Sequence, residues 1–447
     1  MGILENRYAS PEMVELWSDR NKFRLWRKVW KSAAIALNSC SDLVSDEQVA
    51  ELINVGYHAF EMDRAEELER QTKHDVVAHL QAFCEACPKS KGILHLGMTS
   101  SDVTDNAELI VLNKAGQIIQ RKVEKLLITL VRMSDQHKRT PCLGYTHLQV
   151  AQPTTVGKRF AIWAMDLIPS LKEWHTLPGP LRGLKGATGS QYSFLTLLGS
   201  EEKVKAAELK FATELKFEKT MIATGQTYSR SADSRVVSEL AYLASVIKKA
   251  CNDIRFLNST GEMREGFGDQ QVGSSAMPFK RNPVNCETIT GLARYVMGLL
   301  PIVMGTHSDQ FLERTLDDSA TRRLTLSSAF LAMDAVLSKF IDVLNNLVIT
   351  KTAALPPELL SEVILCRAAK EKKDRQAIHE RIRQLKNQSL LQQGPDFATL
   401  LAEDEEIKKF LPMRTFSLSD MMGTSVTQVN QAIERIQHEF PQLFGSN

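Results

Sequence analysis

Residues 102–137 read DVTDNAELIVLNKAGQIIQRKVEKLLITLVRMSDQH, and their apolar side chains recur at intervals of three, four and seven residues. The recurring residues are Leu109, Leu112, Ile119, Val123, Leu126, Leu130 and Met133. This spacing places them on one face of an α-helix. Pro141 closes the segment. We therefore expect a helix of roughly 50 Å, far longer than the usual helix of about 11–12 residues.

Four more segments carry the same long helical period, at 153–175, 233–260, 283–313 and 319–350. Several helices of this length predict an all-α fold with an elongated central bundle. Shorter helices are expected before it, over 11–38 and 47–90, and after the Pro356-Pro357 pair. The sequence therefore predicts three all-α domains, at 1–99, 100–350 and 351–447.

The composition excludes several classes of protein. The chain has 447 residues, 55 basic against 53 acidic side chains and no long basic run, which disfavours a nucleic-acid partner. The first residues, MGILENRYAS, lack a signal-peptide core, and no apolar run approaches the ~20 residues of a membrane span. Seven scattered cysteines suit a reducing compartment. We expect a cytoplasmic protein with no membrane partner.

The stretch GSSAMPFKRNP, residues 273–283, has the composition of an anion site that feeds a helix. Asn282 is a suitable N-cap and Pro283 a suitable first helical residue. The free N–H groups of that helix end, together with Lys280 and Arg281, would attract an anion. Four glycines in 261–273 predict a loop that closes over a ligand. An ordinary capped surface loop is the alternative interpretation.

Two further stretches place polar groups at helix starts. In HLGMTSSDVTDN, residues 95–106, Thr99 and Asp102 have capping-box spacing and hydroxyls cluster beside them. In GYTHLQVAQPTT, residues 144–155, His147 precedes a helix that Gln152-Pro153 is expected to open. Simple capping and a structural histidine are the alternatives. Helices that start near 102 and 153 should run antiparallel, so one site containing all three stretches requires several subunits.

These three stretches resemble the three shared segments of the fumarase/aspartase superfamily. Further stretches are similar to the animal-type adenylosuccinate lyases: RYASPEM (7–13), KHDVVAH (73–79), TGQTYSR (224–230) and ERTLDDSATRR (313–323). The resemblance implies β-elimination of fumarate from adenylosuccinate, giving AMP, and from SAICAR, giving AICAR, in purine biosynthesis. It also implies no metal or organic cofactor, and a homotetramer with a twenty-helix core whose active sites each draw on three subunits.

The resemblance also implies roles for individual residues. Ser274 would be the base, with Ser275 left open as an alternative, and His147 the acid. Lys280 would stabilise the anionic intermediate, and Glu287 would orient the acid histidine. The substrate-binding residues implied are Arg7, Tyr8, Lys73, His74, Asp75, Thr99, Ser100, Gln226, Asn282, Arg314, Ser319 and Arg323. Within this set Arg7, Tyr8, Arg314, Ser319 and Arg323 would hold the phosphate; Ser319 and Arg323 are four apart, which places them on one helix face.

Two other functions are compatible with the same superfamily. One is an argininosuccinate lyase-like enzyme, whose substrate has no phosphate for the arginines to bind. The other is a non-catalytic, crystallin-like structural protein, which would not need Ser274, His147 and Lys280 together. A zinc site at His74, His79, Cys84 and Cys87 is disfavoured, because residues five apart on a helix point about 140° from each other.

Overall fold

The computed structural model describes residues 2–56, 62–174, 176–177, 179–268, 270–350, 354–391, 395–413 and 416–445. The described residues are mostly α-helical, which confirms the all-α class. The helices are α1 Ile3–Arg7, α2 Pro11–Leu16, α3 Asp19–Asn38, α4 Asp46–Val55, α5 Met62–Thr72, α6 Asp75–Ala86, α7 Ser100–His137, α8 Val156–Met165, α9 Ile168–Trp174, α10 Tyr192–Leu198, α11 Glu201–Glu214, α12 Ser231–Thr260, α13 Val284–Ser308, α14 Asp318–Asn345, α15 Leu360–Lys370, α16 Arg375–Ser389, α17 Phe397–Glu403 and α18 Ser425–Glu439. The strands are β1 Pro141–Thr146, β2 Gln149–Thr155, β3 Met263–Arg264 and β4 Val348–Ile349.

Four of the five predicted long helices are present as α7, α12, α13 and α14. The seven apolar residues that define the face of α7 are all buried. In α14 the side chains from Ala329 to Met333 are buried without interruption, so this helix is enclosed on all sides rather than on one face. Long helices were therefore predictable from period alone, whereas their degree of enclosure was not.

The fifth prediction, a helix over 153–175 opened by Gln152-Pro153, is wrong. Residues up to Thr155 form β2, which pairs with β1 in an antiparallel hairpin. The helix begins only at Val156, where the Thr155 side chain accepts the Lys158 N–H. Pro169 has no N–H to continue the helical ladder, so α8 ends at Met165 and α9 starts separately.

The chain forms two compact units. The first consists of Met1–Leu126, Leu167–Asp253 and Val272–Val343, and the second of Leu127–Asp166, Ile254–Gln271 and Leu344–Asn447. In the second unit, Leu143 of the hairpin packs with Leu359 and Leu418, and α15, α16 and α17 share an apolar core. The three-domain division predicted from the sequence stays a prediction.

Two helices, α13 and α14, are long and apolar enough to cross a membrane by length and composition alone. This contradicts the expectation that no segment approaches a membrane span. Core helices pass the same test, and α14 is such a helix because 72% of its most apolar window is buried. The corresponding window of α13 is 33% buried, so this helix exposes an apolar face.

Candidate active site

The first unit contains a polar cavity of about 350 Å³. Eight of the predicted substrate-binding residues line it: His74, Asp75, Thr99, Ser100, Gln226, Arg314, Ser319 and Arg323. They come from four separate regions of the sequence. The fold therefore brings together two thirds of the predicted binding set within one chain.

Three helices begin at this cavity. His74 is the N-cap of α6 and its Nδ1 accepts the Val77 N–H at 3.4 Å. Ser100 is the first residue of α7, and Asp318 and Ser319 open α14. Helix N-termini present free N–H groups and partial positive charge. The cavity is therefore suited to bind an anionic ligand.

A buried ion network underlies the floor of the cavity. Arg230, which is 1% exposed at its side chain, donates from Nε to Asp318 Oδ2 at 2.7 Å. Its two terminal nitrogens donate to Asp105, each at 3.2 Å. Arg314 donates to the same Asp318 oxygen at 3.1 Å. The network fixes Arg314 beside the N-terminus of α14.

A second buried set extends from this floor. Arg322 donates to Asp233 at 2.7 Å and forms an ion pair with Glu108 at 2.7 Å. The Tyr228 hydroxyl donates to Asp233 at 2.6 Å. Burial raises the pKa of Tyr228 well above its ordinary value, so the phenol stays protonated and keeps donating.

The start of α7 is held by Asp102, which is fully buried. Its carboxylate accepts the backbone N–H of Thr99 at 2.8 Å, so half of the predicted capping box is present. The same carboxylate pairs with Arg182 and accepts the Lys185 N–H at 2.8 Å. Asp102 thereby fixes both Thr99 and the glycine-containing loop that follows Arg182.

Gln226 is placed by a close backbone contact. Its N–H donates to the carbonyl of Glu313 at 3.0 Å. A Cβ on the preceding residue, Gly225, would lie 2.8 Å from that carbonyl oxygen and 2.9 Å from Glu313 Cα. Only glycine permits this approach, which joins the Gln226 segment to the one that carries Arg314.

Two predicted phosphate ligands, Arg7 and Tyr8, are not among the residues that line the cavity. They lie at the end of α1, and two residues later the Ser10 N–H donates to Asp334 at 2.7 Å. Asp334 follows Ser319 by fifteen positions on α14, which corresponds to about 22 Å along the helix. Lys73 adjoins the cavity through its neighbour His74 but does not line it.

The segment that carries Ser274 also stands apart from the cavity in one chain. Glu287 is in the first turn of α13. Near the other end, Thr306 donates to the Thr321 hydroxyl of α14 at 2.9 Å. Nineteen positions separate Glu287 from Thr306, or about 28 Å along α13. The segment that carries Ser274 and the cavity therefore lie near opposite ends of this helix.

Within that segment, the Ser274 Oγ accepts the N–H groups of Ala276 at 3.3 Å and Met277 at 3.1 Å. The predicted N-cap at Asn282 is wrong by one position, since Pro283 occupies the cap and α13 starts at Val284. The Asn282 side chain donates instead to the Gly273 carbonyl at 3.2 Å, which ties the two ends of the loop together.

His147 lies at the tip of the β1–β2 hairpin in the second unit, not directly before a helix as predicted. Thr146 pairs with Gln149, so His147 and Leu148 form a two-residue turn. Their φ angles are 52° and 61°. Two consecutive non-glycine residues in the left-handed region are strained, and such strain is concentrated at functional sites. Both side chains are exposed.

Sequence reasoning missed Lys22, Asp105, Arg230, Asp318 and Arg322, all of which line the cavity. Asp318 and Arg322 lie inside the quoted 313–323 stretch, and Arg230 ends the 224–230 stretch. Asp105 was detectable as a charged residue inside the otherwise apolar period of α7, whereas Asp318 and Arg322 lie in a polar stretch and Arg230 precedes α12. Lys22 gave no such signal, because it lies among other basic residues of α3.

Comparisons with known proteins identify the family of this chain. The lyase family matches residues 5–298. The adenylosuccinate lyase of Saccharomyces cerevisiae is 40% identical over 397 residues, covering 86% of this chain and 82% of that protein. The adenylosuccinate lyase of Schistosoma mansoni is 37% identical, with 85% and 81% covered. That of Pyrococcus horikoshii is 30% identical, with 92% of each covered.

Two solved structures share the fold. The 3-carboxy-cis,cis-muconate lactonizing enzyme from Pseudomonas putida superposes with a TM-score of 0.86 at 21% identity, covering 98% of this chain and 99% of that one. A fumarate lyase from Mesorhizobium sp. gives 0.81 at 20% identity, covering 96% and 99%. Fold and family matches together define a lyase of the fumarase/aspartase superfamily. The curated relatives are more specific, and the chain belongs to the adenylosuccinate lyase family.

Proposed function

We propose that this chain eliminates fumarate from adenylosuccinate, giving AMP, and from SAICAR, giving AICAR, in purine nucleotide biosynthesis. Relatives at 37–40% identity over most of the chain are adenylosuccinate lyases. The observation that carries the proposal is the cavity with three helix N-termini, to which Arg314, Ser319 and Arg323 contribute. A nucleoside monophosphate needs such a combination of arginine, hydroxyl and N–H donors.

In the proposed mechanism Ser274 removes the Cβ proton of the succinyl group. The electron pair of that C–H bond is first delocalised into the adjacent carboxylate, which gives a dianionic intermediate, and it forms the new C=C bond of fumarate as the C–N bond breaks. Two backbone N–H groups already point at the Ser274 oxygen, at 3.1 and 3.3 Å, so a negative charge on it would be stabilised. Lys280 would stabilise the dianionic intermediate.

His147 protonates the leaving nitrogen in this mechanism, with Glu287 as the carboxylate that orients it. The exposed hairpin tip supports this role, because a histidine there is accessible to a substrate bound on another subunit. Thr99 and Ser100, at the start of α7, would bind the succinyl carboxylate.

We also propose that the active protein is a homotetramer whose sites combine residues of different subunits. The separation of groups along single helices supports this. Glu287 and the Ser274 segment lie about 28 Å along α13 from the contact at Thr321, and Arg7 and Tyr8 neighbour a position about 22 Å along α14 from Ser319. Groups that must act on one substrate within a few ångströms then have to come from several chains.

The exposed face of α13 offers a surface for such assembly. Gly291, Gly298 and Gly305 recur at seven-residue intervals, and a Cβ on any of them would meet nothing within 4 Å. Around them Tyr295, Met297, Ile302 and Met304 are 37–50% exposed. Small residues at heptad spacing beside exposed apolar side chains suit close packing against another helix. The pattern supports a helix-bundle interface.

Cytoplasmic location and independence of metals and organic cofactors complete the proposal. No disulfide joins any of the seven cysteines, all of which lie among the described residues, and three of them are partly or fully exposed, which is compatible with a reducing compartment. Among the described residues, no group of three or more His, Cys, Asp or Glu side chains is arranged to hold a metal ion.

The first test measures fumarate release from adenylosuccinate by the wild type, Ser274→Ala and His147→Ala. We expect turnover by the wild type and a loss of at least about 100-fold in each variant, because each removes a proton-transfer group. Size-exclusion chromatography with light scattering verifies that the variants keep the wild-type assembly. No turnover by a wild-type tetramer would refute the lyase function and favour a structural protein.

A second test addresses the shared site. The two inactive variants are unfolded together, mixed in equal amounts and refolded into hybrids. If Ser274 and His147 of one site come from different subunits, about a quarter of the sites regain both groups. If both come from one subunit, mixing restores no activity. Ser274→Ala refolded alone is the control.

A further inference from the structure

Lys22, on the first turn of α3, lines the same cavity as His74, Arg314, Ser319 and Arg323. It belongs to none of the stretches that resemble known motifs. Its side chain is half-buried rather than extended into solvent. A positive charge in this place would attract an anionic ligand if no carboxylate of the protein already neutralises it.

The carboxylates of the cavity are each engaged by an arginine. Asp75 pairs with Arg323 at 3.0 Å, and Glu108 pairs with Arg322 at 2.7 Å. The remaining carboxylates are those of the buried floor, Asp105 and Asp318, both held by Arg230. Within the part of the chain that the structure describes, no carboxylate oxygen lies within 4.0 Å of the Lys22 ammonium. The positive charge of Lys22 is therefore available to an anionic ligand.

The ammonium is held in place by aromatic rings. It lies 4.9 Å from the centroid of the Phe23 ring and 5.2 Å from that of Trp26. Cation–π contacts of this length stabilise a cation without neutralising it. The charge is therefore positioned before a ligand arrives, which reduces the entropy lost on binding.

Lys22 lies on the side of the cavity that is formed by α6. Phe23, whose ring contacts the ammonium, stacks on His79 of α6 with 3.6 Å between ring centroids. One helical turn before His79, Asp75 receives the hydrogen bond from Arg323. Lys22 therefore lies on the α6 side of the cavity, where α6 meets the start of α14 and its Ser319 and Arg323.

We propose that Lys22 binds the phosphate of the nucleotide substrate, together with the N-terminus of α6 and the Ser319–Arg323 turn of α14. The inference rests on the proposed function and names a binding residue that the motifs did not contain. A phosphate carries about 1.5 to 2 negative charges near neutral pH. The arginines that line the cavity already pair with its carboxylates. The ammonium of Lys22 is an additional positive charge that can neutralise part of the charge of the phosphate.

The test compares Lys22→Met, Lys22→Gln and Lys22→Arg with the wild type. Met keeps the apolar stem on the aromatic rings but removes the charge, whereas Arg retains it. Lys28→Met is the matched control, since Lys28 is half-buried on the same helix but does not line the cavity. The readouts are KM for adenylosuccinate, kcat, and inhibition constants for AMP, adenosine and fumarate.

We expect both neutral variants to weaken inhibition by AMP by roughly 10- to 100-fold and to raise KM similarly, with Lys22→Arg close to the wild type. Inhibition by adenosine and by fumarate should be unchanged, because neither carries a phosphate. The Lys28→Met control should match the wild type.

Three results would overturn the inference. AMP inhibition within about twofold of the wild type in both neutral variants would show that Lys22 contacts no anion of the substrate. Equal weakening of AMP and adenosine would assign Lys22 to the nucleoside, and selective weakening of fumarate would assign it to a carboxylate. A wild type that releases no fumarate and does not bind AMP in calorimetry would instead refute the proposed function.

Discussion

Replacing Arg230 by methionine tests whether the buried ion network supports the cavity. Arg230 makes three hydrogen bonds to Asp105 and Asp318, and the side chains of all three residues are at most 2% exposed. Methionine fills a similar volume but leaves two buried carboxylates without their main partner. Removing one member of a buried pair costs about 3–5 kcal/mol, because the remaining charge cannot reach water.

The same substitution should change substrate binding. Asp318 Oδ2 accepts from both Arg230 and Arg314, at 2.7 and 3.1 Å. Without Arg230, Arg314 is the cation that remains beside this carboxylate and is drawn towards it. Arg314 then withdraws from the cavity, and KM for adenylosuccinate rises by about 10-fold, the loss expected for one charge-assisted contact.

Urea unfolding at one fixed protein concentration measures the stability, since assembly makes the midpoint depend on concentration. The Asp105→Asn/Arg230→Met double variant is the informative control. If the cost comes from stranded charge, the double variant recovers about 1–2 kcal/mol relative to Arg230→Met alone. An Arg230→Met variant destabilised by less than about 1 kcal/mol, or strictly additive effects in the double variant, would refute the reasoning.

Three other outcomes follow from local geometry. Gly225→Ala should lower kcat/KM by at least about 10-fold, because its Cβ would displace the Glu313 backbone next to Arg314. Gly92→Ala is the control, because a Cβ at Gly92 would meet nothing within 4 Å and its backbone is not in the left-handed region. Equal kcat/KM in the two variants would contradict the role of the close contact. Burial and the nearby Arg27 and Lys22 lower the pKa of His79 to about 4. Because the pKa of His79 in the unfolded chain is ~6.5, its contribution to the free energy of unfolding is fully present above pH ~6.5 and is lost as the pH falls towards ~4. His79→Phe keeps the ring stacked on Phe23 and should show a shallower loss of unfolding free energy over this interval, whereas parallel pH profiles would exclude the effect. Leu148→Asn should raise the unfolding free energy by roughly 0.5–1 kcal/mol, because asparagine tolerates the left-handed conformation at the hairpin tip; a decrease would show that the leucine side chain itself makes a stabilising contact.

The sequence alone determined the class of fold and the family, and it predicted a set of binding residues of which most line one cavity. The period of α7, α12, α13 and α14 is a local property, since residues three and four apart share a face whatever surrounds the helix. The three motifs and the family resemblance were likewise read from consecutive residues. They correctly indicated a lyase of this family, and eight of the twelve predicted binding residues line one cavity.

Only the tertiary structure decided what these residues contact. The β1–β2 hairpin was missed because its strands show no clear alternation of apolar and polar residues, and because the two-residue turn His147-Leu148 lacks the glycine or asparagine that usually marks such a turn. The N-cap at Asn282 failed because its side chain found a partner nine residues earlier, at Gly273. Local preference is worth about 1 kcal/mol, which a single tertiary hydrogen bond can outweigh.

The cavity itself is a long-range product of packing. The starts of α6, α7 and α14 lie far apart in sequence, and Lys22 reaches them from a fourth segment. The helical period does not predict that these segments meet at one cavity, because their meeting depends on which buried helix faces pack against each other. The contact between Thr306 and Thr321 decided which end of α13 lies near Arg323, and therefore how far Ser274 is from Arg323, which the helical period alone did not give. Sequence therefore determined the elements and their chemistry, and the packing of distant segments decided which of these groups act together.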